Sequence, residues 1–387
     1  MSFSRVKLGG WAFGEVLTSA QMNALDVDHT NAVDGAGGGD SSPTAVIGIK
    51  GKGLSVGKAL YDDTYFSTAN AKWAGAAADF GGGPTIALRL VDLCSFLEGR
   101  LLGVAAGSND KIALSLDDGF SWRDVSSSIA SPQSINLTCC AAKDQVMIAG
   151  GNSAKVYNSV DTTSWAFITL GGSPTNLHRM HYHSGLDLFI VIGNTAAAPY
   201  LATVTSSVVG TPRTVPGAIT GVQGGLSIAQ SSTGRLVASW GSQTKVAYSD
   251  DAVTWTASTT SLASGSYLIA YGDGAFVAIE KAASSNAYVS TDGVTWTSSG
   301  VTKPNGTGSL QSFTALNGVF VAVDNAANTY FSVNKGATWE QLALQYLGYN
   351  FSTSVRAVKK RIHALITDGT NAIDMRSRRF GFADGTI

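Results

Sequence analysis

The stretch Ser290-Thr-Asp292-Gly293-Val-Thr295-Trp296 decides the fold, because four variants of it recur elsewhere in the chain. Each copy has Ser, any residue, Asp or Asn, a short turn, and then Trp after Ser or Thr; we call these segments the Ser-x-Asp turns. Their tryptophans are 43, 90, 41 and 43 residues apart, and the interval of 90 holds one copy that has lost its signature. Such a period indicates a repeat architecture. The five copies contain Ser115, Asp117, Gly119 and Trp122; Ser159, Asp161 and Trp165; Ser249, Asp251 and Trp255; Ser290, Asp292, Gly293 and Trp296; and Ser332, Asn334, Gly336 and Trp339.

A second marker, a glycine before an apolar strand, keeps the same phase. Gly234, Gly274 and Gly318 each precede their motif tryptophan by 21 or 22 residues. Two further units lack the turn but keep the hairpin. One spans 188–192 and 200–204, and the other spans 362–366 and 372–375, with Phe380 in the position of the next tryptophan.

Each unit is predicted to form four short strands, A to D, of which B is an apolar run typical of a strand buried on both faces. A single four-stranded sheet cannot bury both of its faces, so the units must pack on one another. Radial packing of about 4–8 such sheets is the propeller solution. The sequence therefore predicts an all-β protein in which residues 85–387 form a seven-bladed β-propeller.

The residue types of the Ser-x-Asp turns suit a structural role. An Asp after a strand accepts backbone N–H groups of its own turn, and Gly provides positive φ. The tryptophan buries roughly 200 Å² between sheets. Asn334 replaces Asp in one copy. The amide still accepts backbone hydrogen bonds but cannot replace a catalytic carboxylate, which indicates a structural role.

These segments resemble the Asp-box repeat, Ser-x-Asp-x-Gly-x-Thr-Trp, which is best known from sialidase-type propellers. The copy at 115–122 has the full spacing, as does the copy at 332–339 apart from its Asn, and the other copies are one residue shorter. The resemblance implies that the turns lie between strands C and D, on the face away from any ligand.

Residues 1–84 do not fit the repeat and are predicted to form an attachment arm. Thr18 and Gln21 make a capping box for a helix over about 19–33, followed by a Gly-rich link at 37–39. The apolar stripe on this helix requires a partner surface. Two alternatives stay open for residues 40–84, a strand that closes the ring or a decayed eighth unit.

The arm resembles the N-terminal segment of bacteriophage tail fibre and other virion structural proteins. The residues that carry the likeness are Trp11, Gly14-Glu-Val-Leu-Thr-Ser-Ala-Gln-Met-Asn-Ala-Leu25 and Ala32-Val-Asp-Gly35. The resemblance implies a virion location in the phage tail, other virion proteins as partners of residues 1–40, and a propeller that binds a host glycan or surface protein or contacts other subunits. By analogy with fibres and spikes it also implies a homo-oligomer, commonly a trimer.

Composition narrows the function classes. The formal net charge is −1 and no basic cluster appears, which argues against a nucleic-acid partner. No apolar run is long enough to span a bilayer and no signal core is visible, so synthesis in the host cytoplasm is expected. Cys94, Cys139 and Cys140 are expected to stay reduced, because adjacent residues of a strand face opposite sides.

The sequence offers little catalytic chemistry, so we expect no enzyme activity, no catalytic residues and no cofactor. A glycosidase needs two carboxylates at one cleft, and the chain has four glutamates, none of them in an evident pair: Glu15, Glu98, Glu280 and Glu340. Two alternatives to the structural protein remain. One is a carbohydrate-degrading enzyme, such as a tail-spike depolymerase or sialidase-like glycosidase, and the other is a lectin-like module.

Two groups of residues are weak site candidates. His181 and His183 share a face of one strand and could contribute two ligands to a metal, whereas His178 points away. Trp240, Tyr346 and Tyr349 are candidates for a binding face built by the B–C and D–A loops, which include 281–286, 301–308 and 344–350.

Overall fold

The computed structural model describes residues 74–77, 89–97, 100–106, 110–116, 119, 122–205, 209–221, 224–282, 286–298, 300–304, 309–326, 328–343, 351–358, 361–367 and 372–376. Within these residues the strands form seven antiparallel sheets, and the helical content is one 3-10 turn at Ser126–Ser128. The predicted helix at 19–33 and the Gly-rich link lie outside the described residues, as do Asp117, Tyr346, Tyr349 and Phe380.

Six sheets are built from strands that follow one another in the sequence, in the order inner to outer. The first contains β2 (Arg89–Leu97), β3 (Arg100–Ala106), β4 (Ile112–Ser115) and β5 (Arg123–Asp124). The second contains β6 (Leu137–Lys143), β7 (Val146–Gly151), β8 (Lys155–Ser159) and β9 (Ala166–Thr169). The third contains β10 (Asn176–His183), β11 (Leu188–Asn194), β12 (Pro199–Thr205) and β13 (Gly210–Pro212).

The next three sheets continue the pattern. The fourth contains β14 (Gly225–Gln230), β15 (Leu236–Trp240), β16 (Ala247–Ser249) and β17 (Thr256–Ala257). The fifth contains β18 (Tyr267–Gly272), β19 (Ala275–Glu280) and β20 (Ala287–Ser290). The sixth contains β21 (Leu310–Leu316), β22 (Val319–Asp324), β23 (Asn328–Ser332) and β24 (Glu340–Ala343).

The seventh sheet joins two distant parts of the chain. Its first three strands are β25 (Phe351–Val358), β26 (Arg361–Thr367) and β27 (Ala372–Arg376), and its outermost strand is β1 (Ala74–Ala77). Ala74 pairs with Arg376 and Ala77 with Ile373. The fourth strand of this sheet therefore comes from before residue 85 and not from the region of Phe380. β1 is therefore a ring-closing strand, one of the two alternatives that the sequence left open for residues 40–84, and the sheet architecture starts before residue 85.

The first strands of the seven sheets form a closed circle. In order, β2 contacts β6, β6 contacts β10, and the series continues through β14, β18, β21 and β25 back to β2. Apolar clusters lie between adjacent sheets, as in the cluster that joins Leu102 of β3 to Met147 of β7. This arrangement confirms the all-β propeller, since each sheet buries its faces against its neighbours. Each sheet is one blade, and blades 1 to 7 are numbered as their sheets are above.

The second strands are the buried cores of the blades, as the apolar runs predicted. Every residue of β15, β19 and β22 is buried. The glycine marker has a backbone cause: Gly274 and Gly318 have φ values of 75° and 84° in tight turns before these strands. Asp273 and Asn317 just before them also have positive φ, which is the pattern of a two-residue hairpin turn.

The fifth sheet departs from the four-strand prediction. Its fourth strand is reduced to one isolated bridge between Val289 and Thr297. Elsewhere the fourth strand begins directly after the motif tryptophan, as at Trp165 before Ala166–Thr169. The repeat thus sets the order of strands, while the length of the outermost strand varies.

Candidate functional site

The Ser-x-Asp turns lie between the third and fourth strands, and their polar groups are used within the turn. Oδ1 of Asp161 accepts the backbone N–H groups of Thr163 at 2.9 Å and Ser164 at 2.8 Å. These two hydrogen bonds lower the pKa of Asp161 to about 2, because they favour the carboxylate. Asp251 and Asp292 are bonded in the same way. The aspartates therefore shape the backbone, as their spacing predicted.

Asn334 reproduces this geometry without a charge. Its Oδ1 accepts the N–H of Thr338 at 2.9 Å, and its Nδ2 donates to Oγ1 of the same residue at 2.8 Å. The hydroxyl of Ser332 accepts the N–H of Gly336 at 2.9 Å. The turn needs acceptor oxygens and does not need an ionised group.

The motif tryptophans occupy equivalent positions between blades. Trp122, Trp165, Trp255 and Trp296 are buried, and Trp339 is half-buried. Nε1 of Trp255 donates to the carbonyl of Ala252 and Nε1 of Trp296 to that of Gly293, both inside their own turns. Their role is packing between sheets.

Trp240 is not part of an exposed binding face. It is 1% exposed, and its Nε1 donates to the carbonyl of Gly193 in the neighbouring third blade at 3.1 Å. Trp240 is the last residue of the buried second strand β15, and its side chain lies between two blades. Burial of its large apolar surface there stabilises the packing. Tyr346 and Tyr349, the other two candidates, lie outside the described residues.

His181 and His183 do not converge on a common point. His181 Nε2 lies 2.8 Å from Oε1 of Gln230, and His183 Nε2 lies 2.7 Å from the carbonyl of Gly234. Nδ1 of His183 accepts the N–H of Leu186, which commits both of its ring nitrogens. Within the described residues no group of three His, Cys, Asp or Glu side chains could hold a metal ion. The pair fixes the inner strand of blade 3 to blade 4.

Cys94, Cys139 and Cys140 are free thiols, of which Cys94 is partly buried. Cys139 and Cys140 are buried in different apolar clusters, on opposite faces of β6. Burial raises the pKa of Cys139 to about 12, so its thiol stays protonated.

A cavity of about 410 Å³ lies at the centre of the ring. All seven inner strands line it, which makes it the central channel of the propeller. His181, Gln230 and Tyr271 reach it from blades 3, 4 and 5. Two arginines, Arg179 of β10 and Arg356 of β25, also line it.

Polar side chains link neighbouring inner strands around this channel. Each of these strands except β18 has a register shift near its start, and a polar residue commonly follows the shift. Ser227 bonds both the N–H and the carbonyl of Ile269 in the next blade at 3.0 Å. In the same way, Ser312 donates to the carbonyl of Val355 at 3.1 Å. These links fix the blades to one another at the axis.

Blade 1 has Asp92 at this position, and its carboxylate is the centre of a charged cluster. The side chain is fully buried. Nη2 of Arg356 lies 2.8 Å from Oδ1 of Asp92, and Nη1 of Arg179 lies 3.8 Å from the same oxygen. Oδ2 accepts the N–H of Cys140 at 3.3 Å, and Oδ1 the hydroxyl of Ser354 at 3.4 Å. One carboxylate therefore serves two arginines from blades 3 and 7.

The two arginines differ in electrostatic environment. Burial would lower the pKa of Arg356, but the adjacent carboxylate of Asp92 raises it above its ordinary value. Burial, together with the positive charge of Arg356, lowers the pKa of Arg179 to about 10. Arg356 is thus well paired, whereas the charge of Arg179 is only partly compensated.

Asp92, Arg179 and Arg356 were not among the residues singled out from the sequence. Arg179 lies inside the histidine-containing segment 178–183, and the other two follow no recognisable spacing. A signal was present in the polar residue that recurs near the start of most inner strands. It could not identify the cluster, because the partners lie in blades 1, 3 and 7.

Comparison with solved structures shows the fold. Streptogramin B lyase is similar with a TM-score of 0.62 at 10% identity, over 79% of this chain and 98% of that one. YCF48 bound to D1 peptide has a TM-score of 0.59 at 15% identity, over 81% and 96%. The WD40 repeats of RRP9 have a TM-score of 0.57 at 9% identity, over 79% and 100%. At these identities the likeness extends to the β-propeller fold alone.

No protein-family model matches the chain, and no curated protein is significantly similar to it in sequence. Among the described residues, no helix is long and apolar enough to cross a membrane.

Proposed function

We propose that this chain is a non-enzymatic structural protein of a bacteriophage tail, whose propeller is a rigid platform for receptor or subunit contacts. The observation that carries the platform role is the closed ring of sheets, which presents loops on a scaffold of buried strands. A propeller fits a binding or interaction role, and the fold alone does not specify a reaction.

The phage assignment rests on sequence. The segment from Trp11 to Gly39 resembles virion attachment segments of tail fibre proteins, and the Ser-x-Asp turns resemble the Asp-box repeats of viral and secreted propellers. We propose that residues 1–40 bind other virion proteins. On this proposal the chain is made in the host cytoplasm, is incorporated into the tail as a homo-oligomer, and needs no cofactor.

An exposed apolar rim supports a subunit contact. Within the described residues, the large hydrophobic side chains with the highest exposure all lie in turns between third and fourth strands. In blades 1 to 6 such turns share one end of the blade, so these residues border one side of the ring. We propose that this side contacts neighbouring virion subunits, leaving the opposite loops for the host glycan or protein. The residues are Leu116, Val160, Val209, Val253 and Val333.

The test is incorporation into virions. Mass spectrometry of purified particles is expected to detect peptides of the full chain. Leu25→Asp, on the predicted apolar stripe of the arm helix, is expected to abolish incorporation, and Asn31→Asp on the opposite face is the matched control. Absence of the wild-type chain from particles would refute the assignment, and equal incorporation of both variants would refute the docking role of the helix.

A second experiment addresses enzyme activity. Purified full-length protein incubated with host surface polysaccharide is expected to bind without releasing reducing ends. Sustained release would replace the platform proposal with a depolymerase.

A further inference from the structure

The charge in the central channel is unbalanced. Arg179 and Arg356 line the cavity, whereas Asp92 is completely buried beside them and does not line it. The cluster of these three side chains carries a formal charge of +1. Water reaches the two arginines, which are 15% and 22% exposed. A buried charge without full compensation is unfavourable, so an anion in the channel would be stabilised.

The two guanidinium groups differ in the donors they have free. Arg356 makes a close ion pair with Asp92 and weaker contacts with the hydroxyl of Ser312 and the carbonyl of Val355. Arg179 uses Nε to donate to the carbonyl of Leu226 at 3.1 Å. Its Nη1 is 3.8 Å from Asp92, too long for a hydrogen bond. In the described part of the chain, Arg179 is the cation best placed to receive a further acceptor.

Two basic side chains respond to the charge of Arg179. The charge of Arg179 contributes to lowering the pKa of both His178 and Lys281, after the larger effect of burial. Gln230 and His181 line the same cavity and provide neutral polar groups next to the arginine. Apart from Asp92, no carboxylate of the described residues contacts this cluster.

We propose that the channel binds the carboxylate of a small monoanionic ligand, with Arg179 as the main recognition residue and Arg356 as the second cation. A monoanion neutralises the formal charge of the cluster, whereas a dianion would leave an excess negative charge. A guanidinium matches a carboxylate through two parallel hydrogen bonds. The cavity of about 410 Å³ falls in the usual size range of small-ligand sites. This site is independent of the virion proposal.

The experiment uses the purified full chain in low-chloride buffer at pH 7, with isothermal titration calorimetry as the readout. Glucuronate and glucose form the matched ligand pair, because they differ in the carboxylate. We expect glucuronate to bind and glucose not to bind. Arg179→Gln is expected to weaken glucuronate binding at least tenfold, in line with the loss of a charged hydrogen bond. Arg123→Gln, an exposed arginine on an outer strand, is the control and should bind as the wild type does.

Several results would overturn the proposal. Equal heats for glucuronate and glucose, or unchanged affinity of Arg179→Gln, would exclude a carboxylate site at this residue. Tighter binding of inorganic phosphate than of glucuronate would replace the monocarboxylate by a phosphate-type anion. If Arg179→Gln fails to fold, thermal unfolding of the wild type decides the matter. The midpoint should rise with glucuronate at constant ionic strength and stay unchanged with glucose.

Discussion

The Ser-x-Asp turns and the inner strands at the axis of this propeller use polar residues in opposite ways. In the described Ser-x-Asp turns the serine hydroxyls and the Asp or Asn side chains bond groups within their own turn, so this hydrogen bonding can repeat from blade to blade. At the axis, Asp92 accepts hydrogen bonds from blades 2 and 7 and forms a longer ion pair with Arg179 of blade 3. The repeated turns therefore stabilise the blades in the same way around the ring. The polar residues at the axis differ from blade to blade and determine the chemistry of the central channel.

The largest expected effect comes from removing the shared carboxylate. Asp92→Ala should lower the free energy of unfolding by about 3–5 kcal/mol, because it leaves two buried arginines without their counter-charge. Urea denaturation measures this value. Asp250→Ala, which removes the partner of Arg235 at the surface, is the control and should cost about 0–1 kcal/mol. Equal losses in the two variants would show that the axial cluster is no more important than a surface pair.

The second-largest expected effect comes from removing a hydrogen-bonding side chain that links two blades at the axis. Ser227→Ala removes a hydroxyl that bonds both backbone groups of Ile269, and these groups are then left unsatisfied in a buried site. We expect a loss of about 1–3 kcal/mol in the free energy of unfolding. Ser232→Ala removes an exposed hydroxyl bonded to Tyr271 and should change stability by less than about 0.5 kcal/mol. A neutral Ser227→Ala would mean that the inner strands pack without these links.

The third prediction is that one Ser-x-Asp turn becomes more stable when it receives the glycine found at the same place in another copy. Thr162 has a φ of 65°, at the place where Gly293 with a φ of 72° occupies the fifth blade. Thr162→Gly should raise the free energy of unfolding by about 0.5–1 kcal/mol, because it relieves the left-handed strain of a β-branched residue. Gly293→Ala is the reverse control and should destabilise, since its Cβ would lie 2.6 Å from Cγ2 of Val237. Differential scanning calorimetry measures the stability of both variants. A destabilised Thr162→Gly or a stabilised Gly293→Ala would contradict this prediction.

The smallest expected effect is on the dependence of stability on pH in the acidic range. The folded pKa values of Asp161 and Asp251 are about 2, below the ordinary 3.8, because backbone N–H groups stabilise the carboxylates. Their contribution is complete above the unfolded pKa and is lost as pH falls from about 4 through 2. The double variant Asp161→Asn and Asp251→Asn should show a shallower loss of stability over this range in urea titrations. An identical pH slope would assign acid sensitivity to other groups.

The predicted repeat was informative because it reflects local physics. The hairpin glycines and the acceptors of the Ser-x-Asp turns follow from contacts within about ten residues, and the apolar runs of the second strands can be recognised locally although neighbouring blades bury them. Trp240 was misplaced because a tryptophan at a strand end can face a loop or a neighbouring blade, and only the packing of blades 3 and 4 decides between them. The sequence left open whether residues 40–84 close the ring or form an eighth unit, and the pairing of β1 with β27 favours the ring-closing strand. The choice could not be made earlier because the two strands are far apart in the chain.

By itself, the amino-acid sequence determined the period, the class of sheet and the structural use of the Ser-x-Asp turns, since all of these depend on neighbouring residues. The tertiary structure decided which residues meet at the axis. Asp92, Arg179 and Arg356 are far apart in the chain, and closing the ring brings them together beside the central channel. Their charges act on one another only there, because charges separated along an unfolded chain are screened by water and salt.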